Sequence, residues 1–317
     1  MFNQTDLILL QKGDSVNHYL LLKKCEIKLS KSNKQYLSLE LADKTLSLSS
    51  NVWDNFSQLL TQLKTGDVVK VIGLIDEFMG TPQIKIISIK TVDPADNISP
   101  ADFLARSKRN VEEMKNELLE RIQMIKNSKL KMLMELFFDA QKLKKFNYAP
   151  AGKYWHHSYL SGLLEHSLEL IRICDLMCDI HPEINRDLII CGALMHDYGK
   201  IEELSFDASF EYTTRGKLIG HIVISAMMIN EGCKKIPDFP DDLRDCLLHI
   251  ILSHQGKLEF ASPVIPKTLE AITLYQADEL SAKVNAYKSA LGDVKEKGKW
   301  TKFIPLASTD LFNHGIL

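Results

Sequence analysis

The 317-residue sequence predicts an α+β, multidomain chain: a small N-terminal β-barrel followed by an all-α domain. Three observations predict it. Short runs alternating apolar and polar residues crowd the first 95 positions, which is the pattern of half-buried strands. Helical spacing takes over from Ala101 onward. Imidazoles and carboxylates then recur inside apolar helical stretches, where an unpartnered carboxylate is costly.

Five strand-like runs fill the first domain, placed at residues 1–95: His18–Lys28, Gln35–Leu41, Lys44–Ser49, Asp67–Asp76 and Pro82–Thr91. Tyr36 to Leu41 and Ile84 to Ile89 alternate most cleanly. Between the third and fourth runs, Val52, Phe56, Leu59, Leu60 and Leu63 carry helical spacing over Asn51–Lys64, stopped by Thr65-Gly66-Asp67. Five strands with one helix between the third and fourth is the order of an OB-fold barrel. Residues 96–128 form the next division, a linker and connecting helix. Val92–Pro100, with two prolines, reads as linker, and Ala101–Asn127 as a charged helix. Residues 129–290 carry only helical periods, and 291–317 form a basic tail. Over Ser281–Lys302 six lysines face two acidic residues.

Composition excludes little. A net charge of −2 and 45% hydrophobic residues are ordinary for a folded chain. Basic residues are nearly balanced in residues 1–95, eleven against ten, whereas Leu104–Lys145 holds eleven against six. No apolar run reaches the roughly 20 residues of a membrane span, and Met1–Gln11 has no signal-peptide character. The six cysteines form no CxxC pair, so a reduced, cytoplasmic protein is expected.

The chemistry gathers in the second domain. His196-Asp197 ends the apolar helix beginning at Leu188. His166 shares a helix face with Leu163, Leu170 and Cys174. His221 opens a helix after Gly220, His254 ends another, and Asp278 sits within apolar Leu269–Leu280. Imidazole and carboxylate together suit zinc, manganese, iron or cobalt. Four histidines and two aspartates exceed one tetrahedral site, so Asp197 is expected to bridge two ions. Lys200, three residues after Asp197, is the candidate to stabilise phosphoryl charge or protonate a leaving oxygen. His181 and His249 are given no role.

The ordered set H…HD…H…H…D resembles the HD-domain superfamily of metal-dependent phosphohydrolases, over roughly Asn147–Ala290. The resemblance implies an HD-type all-α domain, with His166, His196, Asp197 and Asp278 on one ion and Asp197, His221 and His254 on the second. Taken whole, the chain resembles the YhaM-like family of bacterial 3′-to-5′ exoribonucleases, an OB-fold followed by an HD domain. HHSYLSGLLEH (His156–His166), ALMHDYGK (Ala193–Lys200), GHI (Gly220–Ile222) and ILSHQGKLEFASPVIPKTLEA (Ile251–Ala271) carry this closer match. It implies stepwise removal of nucleotides from a 3′ end with manganese or a similar divalent ion. It also makes His157 a candidate phosphate contact.

Two positions depart from the family pattern: Gln255 stands where the family has histidine, and Ala261 where it has glycine. Single-stranded RNA or DNA is the expected partner, with Tyr36 and Phe78 as stacking platforms and Trp53 and Phe56 assigned to helix packing. No membrane partner is expected. Two other readings remain: an HD phosphohydrolase of small nucleotides or cyclic dinucleotides, and a non-catalytic nucleic-acid-binding protein.

Overall fold

The protein is described by a computed structural model. It covers residues 4–30, 32–93, 96–153, 155–207, 209–292, 299–305 and 307–315. Lys295 and Lys297 of the expected basic tail, and Pro94 and Ala95 at the expected domain boundary, lie outside the described residues. The chain divides into two compact units: Met1–Ala105 with Phe206–Phe210, and Arg106–Ser205 with Glu211–Leu317.

In the first unit, strands β1 (Ser15–Leu29), β2 (Gln35–Ala42), β3 (Ser47–Val52), β4 (Val68–Phe78) and β5 (Thr81–Thr91) close a barrel in the order β1-β2-β3-β5-β4. Helix α1 (Ser57–Gln62) lies between β3 and β4 in sequence, so the expected OB-type order is present. The long β1 serves two neighbours. Its first half, Ser15–Leu21, pairs with β4, and its second half, from Leu21, pairs with β2 across a bulge at Lys23. The alternation of β2 sends Leu37, Leu39 and Leu41 inward, where they meet Val16, Leu20, Val69, Val71 and Ile84.

Three local expectations are corrected. The third strand begins at Ser47 rather than Lys44, because the Asp43 carboxylate accepts from the Thr45 and Leu46 amides and holds Lys44–Leu46 in a turn. Val52 ends β3, paired with Leu37, and α1 is only six residues long. Trp53 therefore belongs to the strand end, stacked on Tyr36 at 4.6 Å between ring centroids, while Phe56 packs on the barrel core.

The second unit is helical: α2 (Val111–Gln123), α3 (Ser128–Phe137), α4 (Ala140–Tyr148), α5 (Gly162–Ile180), α6 (Arg186–Met195), α7 (Lys200–Glu203), α8 (Thr214–Ile219), α9 (His221–Lys234), α10 (Asp241–Ser253) and α11 (Leu269–Gly292). The expected helix Ala101–Asn127 starts only at Val111, where the Asn110 side chain accepts from the Glu112 and Glu113 amides. A 3₁₀ turn, Pro100–Phe103, precedes it. Helices are not the whole of this unit, since β6 (Leu204–Ser205) and β7 (Glu211–Tyr212) form a small antiparallel ribbon. Helix α5 packs on α6 and α11, and α10 packs on α9, α6 and α11. Those five helices bring the candidate residues together. Among the described residues, no helix is long and apolar enough to cross a membrane.

Candidate metal centre

Each of the four ligand-candidate histidines, His166, His196, His221 and His254, is held in one orientation by a partner at Nδ1. His166, one turn into α5, has Nδ1 3.0 Å from Ser281 Oγ. His196, capping α6, donates from Nδ1 to the carbonyl of Ala193 at 2.9 Å. His221, opening α9, has Nδ1 3.0 Å from Glu203 Oε1, which also accepts the His221 amide. His254, capping α10, donates from Nδ1 to the carbonyl of Ile251 at 2.7 Å. With the proton held at Nδ1, each Nε2 presents a lone pair.

Those lone pairs converge on two carboxylates. His166 Nε2 lies 3.1 Å from Asp278 Oδ1 and 3.3 Å from His196 Nε2. Asp197 receives the rest: His196 Nε2 at 3.2 Å from Oδ2, and His221 and His254 Nε2 at 3.2 and 3.7 Å from Oδ1. All six ligand candidates are buried except His221, which is half-buried. Asp197 Oδ1 and His221 Nε2 are nevertheless enclosed without a hydrogen-bond partner. Two acceptors 3.2 Å apart with no proton between them repel unless a cation stands there, so the orphaned atoms fit a divalent metal.

The electrostatics agree. Burial opposes ionisation of Asp197, but Lys200 and the imidazoles of His196 and His221 hold its carboxyl well below the usual range. Burial also opposes ionisation of Asp278, yet the neighbouring His166 holds it low. Burial, assisted by His196, pushes His254 down to about 4. Burial likewise lowers His166, against the pull of Asp278. His196 moves the other way, because Asp197 and Asp278 outweigh its burial. Two anionic carboxylates beside the His166 and His254 imidazoles, which burial holds toward the neutral form, give a donor set suited to metal.

The backbone around His196-Asp197 is tightly specified. Tyr198 is fully buried, donates to the Phe137 carbonyl at 2.7 Å and packs on Phe137, Phe138 and Phe146. Gly199 sits where a Cβ would collide with the His221 carbonyl, so glycine lets α9 approach and deliver His221. Lys200 Nζ donates to Asp197 Oδ2 at 2.6 Å and to the Ala151 carbonyl. Burial lowers its affinity for a proton, but Asp197 more than restores it.

The structure thus gathers His166, His196, Asp197, Lys200, His221, His254 and Asp278. Tyr36 and Phe78 belong to the barrel unit; Tyr36 is half-buried and Phe78 is 62% exposed. His157, expected to contact phosphate, has a ring that meets no solvent and lies 3.2 Å from Glu169. Gln255 places its amide nitrogen 3.2 Å from His254 Nε2. His249 accepts the Lys267 amide, a structural role. The six cysteines are free.

Sequence reasoning missed the supporting residues Ser281, Glu169 and Glu203. Ser281 follows Asp278 by three and Glu169 follows His166 by three, so helical periodicity places each on the face of a ligand candidate. His156, with Nδ1 3.3 Å from that of His157, was visible only as part of a histidine pair.

The HD domain family model matches residues 163–283, a span containing all six ligand candidates. The 3'-5' exoribonuclease YhaM of Geobacillus sp. (strain WCH70) is 33% identical over 292 residues, covering 92% of this chain and 89% of the relative. The Bacillus subtilis (strain 168) enzyme of the same name is 31% identical, covering 93% of each chain. The counterpart in Oceanobacillus iheyensis is 33% identical, covering 92% of this chain and 90% of its own.

Proposed function

The chain belongs to the YhaM family of 3′-to-5′ exoribonucleases, and we propose that it removes nucleotides stepwise from the 3′ end of single-stranded RNA at the Asp197 centre. One observation carries the assignment of the site. Four imidazoles with Nδ1 committed to partners turn Nε2 onto two buried carboxylates, leaving atoms only a cation can satisfy.

His166, His196, Asp197 and Asp278 would hold one divalent cation, and Asp197, His221 and His254 a second. The grouping of His166, His196 and Asp197, and of Asp197, His221 and His254, supports this partition. Manganese is our choice, with iron, cobalt and zinc sharing the same donors. When bound, such a pair supplies Lewis-acid activation of water and neutralises charge on the phosphoryl oxygens.

The protein's own groups do the positioning. Asp197 offers one carboxylate oxygen to each side, and Glu203, Ser281 and two main-chain carbonyls keep the imidazoles aimed. Lys200 holds Asp197 and adds a fixed positive charge beside the phosphoryl group. On the barrel, Tyr36 backed by Trp53, together with exposed Phe78, offers rings for base stacking. Six free thiols suit a cytoplasmic location.

Incubation with manganese and 5′-labelled single-stranded RNA should give a descending ladder. Single-stranded DNA, cyclic dinucleotides and nucleoside triphosphates serve as parallel substrates. Intact RNA alongside hydrolysed triphosphate or cyclic dinucleotide would overturn the proposal.

A further inference from the structure

The first turns of α5 and the loop before it hold a second group of donors that the mechanism does not use. His157, Glu165 and Glu169 each offer a ligand atom, all within 4.8 Å of one another. The His157 side chain is 0% exposed, yet its Nε2 has no hydrogen-bond partner. Glu169 Oε2 lies 3.2 Å from it without making a hydrogen bond. Glu165 Oε2 is also enclosed and without a partner. Two orphaned polar atoms from different residues therefore face one small space.

The ring is held there by its backbone. His157 has φ of +46°, a left-handed conformation that a histidine adopts at a cost. Its amide donates to Asn285 Oδ1 at 2.8 Å, and its carbonyl accepts from Ala151 and Tyr159. Gly162 sits where a Cβ would collide with that carbonyl, so the close approach of α5 requires glycine. Glu165 and Glu169, four apart on α5, share the face turned toward the ring.

We propose that His157, Glu165 and Glu169 form a third divalent-cation site, separate from the Asp197 pair and using none of its ligands. Two carboxylates beside an enclosed imidazole carry two negative charges. One imidazole and two carboxylates together are a donor set that a divalent ion satisfies. Metal ligands at about 2.0–2.2 Å from an ion lie at most roughly 4.4 Å apart, so the donors need to close by only a few tenths of an ångström.

The site communicates with the pair through one chain of bonds. Ser281 Oγ donates to Glu169 Oε2 at 2.7 Å, and the His166 Nδ1–H faces Ser281 Oγ at 3.0 Å. A cation on Glu169 therefore fixes the hydroxyl that aims His166. This makes His157, Glu165 and Glu169 positioning residues for the first ion rather than contacts to substrate.

Metal-free full-length protein, Glu165→Gln and His221→Ala are each titrated with Mn²⁺, counting free ion by electron paramagnetic resonance. Glu165→Gln should bind one equivalent fewer than the wild type. His221→Ala tests the pair independently, so loss in one variant without the other shows which site failed. Equal counts in wild type and folded Glu165→Gln overturn the third site. If Glu165→Gln does not fold, anomalous scattering from manganese-soaked wild-type crystals decides. A peak enclosed by His157 Nε2 and both carboxylates supports the site, and none at saturating manganese overturns it.

Discussion

Glu203→Ala separates orientation from ligation, because Glu203 touches His221 but is no ligand candidate. Its Oε1 accepts both the Nδ1–H and the amide of His221 at 3.0 Å. Truncation leaves the imidazole N–H in a half-buried setting without an acceptor, a loss of about 1–3 kcal/mol. The ring can escape that loss by moving its proton to Nε2, but the lone pair facing Asp197 then disappears. Either route weakens the His221 ligand, and removal of such supporting partners typically costs about 10–100-fold in metal affinity, or roughly 1.4–2.7 kcal/mol. Manganese titration of metal-free protein at pH 7 reads the change directly. Glu203→Gln, which keeps one acceptor oxygen, should fall between wild type and alanine. Wild-type affinity in a folded Glu203→Ala protein would refute the orientation argument.

Three further outcomes are expected. Gly199→Ala should lower manganese affinity more than ten-fold, because the added Cβ pushes away the His221 carbonyl; the same titration checks it. Lys200→Met should reduce RNA turnover at saturating manganese by about 100-fold with the bound-metal count unchanged, as expected for loss of one fixed charge at a phosphoryl group. Glu117→Gln tests a structural ion pair: burial opposes its charge, but bonds from Arg172 and Arg109 lower Glu117 below its ordinary 4.5. A depressed carboxylate stabilises the fold above its unfolded value and loses that contribution as pH falls through its folded one. The variant should therefore lose about 1 kcal/mol near pH 7, after solvent screening, and the difference should vanish in acid, as followed by urea denaturation at several pH values.

How much of this was legible in the sequence depends on what each residue does. The barrel strands were, because Leu37, Leu39 and Leu41 are buried on alternate positions and the alternation shows at once. The start of β3 was not, although Asp43-Lys44-Thr45 carries an aspartate able to bond its own following amides. Val52 was drawn into a helix because its spacing to Phe56 fits one, yet the strand pairing with Leu37 decides its place. Tertiary pairing overrode local period.

The candidate ligands themselves stood out in the sequence, since imidazole and carboxylate on apolar helices are chemically out of place, and the fold brings them together. Their supporters did not. Glu169 and Glu203 look like solvated helix surface in sequence, and Ser281 carries no signal except its three-residue distance from Asp278. Only folding shows that the same turn of α11 supplies Asp278 as a carboxylate and Ser281 to aim His166.

X-ray absorption on the manganese-loaded protein tests the bridged pair most directly. Asp197 shared by two ions predicts a metal–metal scattering vector at about 3.5–4 Å, missing from Asp197→Asn. A fully loaded protein with no such vector would contradict the account.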